Sequence, residues 1–124
     1  MLELVALLGE GATVGMLADR TLGDEPVLRL PFLGREAPFP RGPMRVAAAL
    51  RRRVVFMAAL CRGGNRYEIR FEPLADFTGL GEVPREERDR RIDAAVAEFA
   101  HCLERHARMA PDNWFNFHDF WGPA

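Results

Sequence analysis

Three histidines, two cysteines and a loop of arginines are the side chains of this sequence with chemistry to offer. His101 and His106 stand five apart in HCLERH, one residue beyond the i, i+4 spacing that aims two imidazoles from one helix face at a single metal. They predict a partly exposed helix end and no metal site. His118 precedes Asp119, but neighbours in an extended tail point to opposite sides, so the acid is badly placed to orient the ring as a general base requires. Cys61 has no base near it in the sequence, and without a C-x-x-C pair it and Cys102 read as free thiols in a reducing compartment. Spacing therefore assigns no catalytic residue, and nothing implies a cofactor.

Binding is better represented. Arg35 and Arg41 lie in FLGREAPFPRGP, a Gly/Pro loop running into a helix start near Pro43. Free backbone N–H groups and the positive end of a helix dipole would gather there beside two guanidinium groups, an anchor for phosphate or another anion. The plainer alternative is a loop made rigid for structural reasons alone. GEGATVG offers no such anchor, because Gly9, Gly11 and Gly15 lack the G-x-G-x-x-G spacing and precede a strand instead of following one. The run Arg51, Arg52, Arg53 could meet lipid or nucleic-acid phosphates, and a solvated helix end explains it equally well.

These residues need elements to hold them. MLELVALLGEG predicts the last turns of a helix closed by glycine, and TVGMLAD, 13–19, a buried parallel strand ending on an acid. In the Gly/Pro-rich excursion that follows, LRLPFLG and REAPF form a short extended piece or hairpin. Pro43 opens a helix of about ten residues in GPMRVAAALRRR. VVFMAAL, 54–60, reads as a buried strand, and RYEIRFEPL alternates Tyr67, Ile69 and Phe71 with Glu68, Arg70 and Glu72 as a strand with one wet face does. CRGGN joins the two by a tight turn. One long helix runs from Pro84 to about Met109, acidic near its start and basic near its end, and stops at Pro111. The tail APDNWFNFHDFW, 110–121, holds both tryptophans with Phe115, Phe117 and Phe120, and reads as a packing strap across the sheet or the long helix.

That order gives an α/β fold, helices packed on a mixed sheet, as a single domain over 1–124 with 110–124 as its aromatic tail. A parallel strand after the first helix calls for a strand before it, and none is present. The expected sheet therefore begins in the middle, as in a chain without its N-terminal half. A net charge of −1 gives no reason to expect nucleic acid, even though all seventeen basic residues are arginine. No apolar run reaches the roughly 18 residues of a spanning helix, and the order of a signal peptide is absent.

Taken in order, GATVGMLADR, LPFLGREAPFPRGPMRVAAAL, RRVVFMAALCRGGNRYEIRFEPL, the long charged helix and PDNWFNFHDFW resemble the C-terminal half of the lipid A biosynthesis acyltransferases, within the lysophospholipid acyltransferase superfamily. The resemblance implies transfer of a fatty acyl group from a carrier thioester, on acyl carrier protein or as acyl-CoA, to a hydroxyl of a glycolipid or related acceptor. It implies a cytoplasmic chain, or a membrane-associated one peripheral to the cytoplasmic face of the bacterial inner membrane. The family's Phe-x-Gly loop matches Phe32, Leu33 and Gly34, and its strand ending in an acid and a polar residue matches Asp19 and Arg20. Asp19, Arg20, Arg35, Arg41, Gly42 and Arg62 are the substrate-binding residues the resemblance implies. The family's histidine followed after four residues by an acid is absent, since the fifth positions beyond the three histidines hold His106, Pro111 and Pro123. The resemblance thus describes a fragment holding the binding wall without its general base, inactive alone, with an exposed edge that favours self-association or pairing with the missing half. The alternative is a non-catalytic α/β module for a phosphorylated lipid or a protein partner.

Overall fold

The computed structural model describes residues 2–21 and 23–122. Its elements are α1 (Leu2–Gly9), β1 (Val27–Phe32), β2 (Arg35–Pro40), α2 (Gly42–Ala49), β3 (Arg53–Cys61), β4 (Tyr67–Asp76), α3 (Arg85–Met109) and a 3₁₀ turn (Pro111–Asn113).

Two tight turns set the strands. Leu33 and Gly34 both take positive φ, 51° and 87°, the pairing that turns a two-residue hairpin with the natural strand twist. Gly34 adopts this freely; Leu33 is held in it by its partly buried side chain and by its N–H, which donates to Glu104 Oε1 of α3. β1 and β2 therefore pair antiparallel, Leu30 opposite Ala37 and Phe32 opposite Arg35. Gly63 and Gly64, also at positive φ, turn β3 into β4, and Met57 faces Phe71 across that pair.

The expected mixed sheet is not formed. β1–β2 and β3–β4 are two separate antiparallel pairs, and the strand predicted over 13–19 is an extended segment without ladder hydrogen bonds. The run is apolar enough for a buried strand, yet Met16 and Leu17 are exposed, so burial does not draw it into a ladder.

Helix boundaries follow the expected chemistry. Pro43 lies in the first turn of α2, and Arg51 at φ 52° takes the left-handed position after its end, where its N–H reaches Ala48 O and that of Arg52 reaches Ala47 O. α3 buries Ile92, Ala95, Val96, Ala100, Cys102, His106 and Ala107 along one stripe.

The core lies where that stripe meets the first hairpin and the tail. Phe32 is surrounded by Phe39, Trp114, Phe120 and Trp121, with ring centroids 4.9 to 6.2 Å away. Trp121 Nε1–H donates to Phe32 O at 2.9 Å, so the half-buried indole has its polar atom satisfied. The strap is real for Trp114, Phe120 and Trp121 only; Phe115 and Phe117 are 68% and 92% exposed. Asn113 fastens the tail to β3, accepting the Cys61 N–H at 2.6 Å and donating to its carbonyl at 3.3 Å.

Candidate functional site

Two cavities meet at Asp19. The first is an apolar trough of about 250 Å³ between Met16–Leu17–Ala18, the middle of β3 at Phe56 to Leu60, and α3 at Phe99, Leu103, His106 and Ala107, with Trp114 also on its wall. The second, of about 260 Å³, is lined by Asp19, Arg20, Thr21, Pro38, His118, Asp119 and Phe120. The trough exists because segment 16–19 faces β3 without pairing to it, and the cleft because the tail returns through Phe120 into the core beside Pro38.

Their chemistry differs. The trough is below the ~300–1,000 Å³ of sites for compact drug-sized ligands, and its apolar walls suit one slim hydrocarbon chain, each buried methylene contributing about 0.8 kcal/mol. The cleft sets one guanidinium against two carboxylates, with Arg20 Nε 4.0 Å from Asp19 Oδ2. Such a set accepts hydrogen bonds from hydroxyl and amide donors more readily than it holds a phosphate. An amphiphile with its tail in the trough and its first polar group at Asp19 satisfies both cavities.

Of the residues implied by the resemblance, Asp19 and Arg20 come together here. The others have partners elsewhere. Arg35 lies over the Trp121 ring, 5.8 Å from its centroid. Arg41, at the start of α2, donates to Asp93 Oδ2 at 2.5 Å and ties α2 to α3. Gly42 is close to Glu25, whose Oε2 would stand 3.1 Å from an added Cβ. The positive end of α2 is thus furnished with the protein's own carboxylates, Glu25 and Asp93, where an incoming anion was expected. Arg62, at the far turn of β3–β4, bonds Glu68 Oε2 at 2.8 Å, and Arg70 takes the other oxygen of Glu68. Held first by Arg70 and then by Arg62, the Glu68 carboxyl ionises below its ordinary range.

Sequence reasoning missed Thr21, and it set His118 and Asp119 aside as a pair pointing to opposite sides, yet all three line the cleft. His118 and Asp119 are adjacent, and the tail's bend at the buried Phe120 lets both line the cleft. No carboxylate is hydrogen-bonded to the His118 ring among the described residues; its ring lies 6.0 Å from that of Phe120. Missed too was the burial of His106, expected half-exposed and in fact 4% accessible on the trough wall. Its Nδ1 must carry a proton, because it lies 2.7 Å from the Cys102 carbonyl, which only accepts. Its ring stacks on Phe56, and Nε2 faces Glu72 Oε2 at 3.9 Å. Burial pushes the Cys102 thiol up despite Arg105 nearby, which keeps it protonated and unreactive. Among the described residues no group of three His, Cys, Asp or Glu side chains is arranged to hold a metal ion.

The chain is thus α/β, with an apolar trough beside a polar cleft. Residues 1–122 match the family model described as bacterial lipid A biosynthesis acyltransferase, and the chain belongs to that family. No curated protein and no solved structure matches it. Two expectations are corrected. Likeness to a C-terminal half, and with it the idea of a fragment, rested on the strand missing before α1 and on the absent histidine signature; the family model instead aligns from the first residue to nearly the last. The membrane association expected from the resemblance has no spanning segment behind it, since no helix among the described residues is long and apolar enough to cross a membrane. A cytoplasmic or peripheral location requires none.

Proposed function

We propose that this chain seats the acyl group of a carrier-bound thioester in the trough, with the polar group that follows it against Asp19, Arg20, Thr21 and His118, as the binding part of fatty acyl transfer to a hydroxyl acceptor. The observation that carries this reading is the single residue, Asp19, shared by an apolar trough and a hydroxyl-accepting cleft.

Acyl transfer needs more than seating. The acceptor oxygen bonds to the thioester carbonyl carbon, the C–S bond breaks, and a base takes the hydroxyl proton while the thiolate leaves. A histidine performs that step only when a partner fixes its tautomer, which the family signature supplies and this sequence lacks. The ring of His118 is not fixed in that way. The chain therefore binds acyl thioester and does not turn it over alone.

Titrating purified chain with a long-chain acyl thioester tests both parts. Trp114 lines the trough, so its fluorescence reports occupancy, and a free-thiol assay reports turnover. Saturable quenching is expected, weakened about tenfold by Leu17→Asp, a loss of ~1.4 kcal/mol. Leu17 is 78% exposed, so the substitution leaves the core intact. Binding indifferent to Leu17→Asp contradicts the seat, and thiol release abolished by His118→Ala contradicts the absence of turnover.

A further inference from the structure

The β3–β4 hairpin has two faces, and the one turned to solvent is apolar. Val55, Met57 and Ala59 on β3 stand opposite Pro73, Phe71 and Ile69 on β4, and Tyr67 extends the row. Val55, Met57, Tyr67, Ile69 and Phe71 are each 55% to 69% exposed, and no charged side chain interrupts them. The charged residues of β4, Glu68, Arg70 and Glu72, are on the other face, bonded to Arg62, to Met109 and to Arg105. Together the exposed side chains present on the order of 600 Å², at the upper end of the largest apolar patch a monomer ordinarily shows.

We propose that a second copy of this chain covers the face, two β3–β4 hairpins stacking across a two-fold axis. Three features select this occupant. Two such patches bury roughly 1,200 Å² in total, the lower bound for a stable, specific interface. A flat pleated face of alternate side chains is self-complementary, and sheets so stacked pack about 10 Å apart. The rim has mixed charge, with Arg53 3.4 Å from Asp76 at one end and the exposed Arg66 at the turn. Antiparallel stacking sets the Arg53–Asp76 pair of each copy at the turn of the other.

Sedimentation equilibrium of the full chain from micromolar to millimolar concentration, with far-UV circular dichroism of each variant, decides the matter. A monomer–dimer equilibrium is expected, its dissociation constant raised at least about a hundredfold by Phe71→Glu and by Ile69→Glu with unchanged dichroism. Hydrogen exchange on the unaltered chain adds a reading independent of variant folding: residues 53–76 should gain protection as concentration rises. A monomer throughout overturns the proposal, as does a dimer that survives both substitutions or protection gained only outside 53–76. Binding to phosphatidylethanolamine/phosphatidylglycerol vesicles by a chain that stays monomeric in solution also overturns it and assigns the face to lipid.

Discussion

Phe32 joins the first hairpin to the aromatic tail. Fully buried, it receives edges and faces from four aromatic rings, while its carbonyl holds the Trp121 indole. Phe32→Ala should destabilise the chain by about 3–5 kcal/mol, because the surrounding rings are too rigid to collapse into the space. Urea denaturation of the two proteins measures this, and a loss below ~1 kcal/mol would show that the tail does not rest on Phe32. The sequence made the tail's packing legible, since two tryptophans and three phenylalanines cannot all fray into water. Which of them pack was not legible. Phe115 and Phe117 match their neighbours in chemistry, and only the bend between Asn113 and Phe120 turns them outward. Leu33 was hidden for the converse reason: the glycine after it announces a turn, but a leucine held at positive φ is understood only once Glu104 and the core are seen to grip it.

At the scale of elements, periodicity located α2, α3 and the β3–β4 pair closely, with α3 at 85–109 against an expectation of 84 to about 109. Alternation defines two faces of a strand without saying which one the core takes. In β4 the side with Glu68, Arg70 and Glu72 packs under α3, because α3 brings Arg105 to meet it. These carboxylates make the hairpin's docking sensitive to acid. The Glu72 carboxyl is drawn below its ordinary 4.5 chiefly by the Arg105 hydrogen bond, and Asp76 below its ordinary 3.8 chiefly by the Thr78 hydroxyl. Glu68 is lowered likewise. The folded chain thus binds fewer protons than the unfolded one across this range, so their stabilisation is fully present above the ordinary values and disappears as pH falls through the depressed ones. The urea midpoint should fall between about pH 5 and pH 3, less steeply in Arg105→Ala, which removes the main pull on Glu72. A midpoint flat with pH, or a slope unchanged by Arg105→Ala, would contradict that linkage.

For the whole molecule, the resemblance pointed to Asp19 and Arg20, and the fold sets both on one cleft. The resemblance also grouped with them arginines that the fold commits to Asp93, Glu68 and Trp121, since a one-dimensional loop cannot show that a carboxylate from α3 arrives first. The trough was illegible for a related reason. Segment 13–19 has the composition of a strand, and pairing it with β3 would have filled the space its separation leaves open.

The most direct measurement is an NMR titration of isotope-labelled chain with a long-chain acyl thioester, following backbone amides and methionine methyls. Seating of an amphiphile across Asp19 predicts shifts at Met16, Leu17, Leu60 and Ala107 together with Arg20, His118 and Asp119, all saturating at one ligand concentration. Shifts confined to Tyr67, Ile69 and Phe71 on the exposed face of β4, with the trough and cleft unmoved, would contradict it.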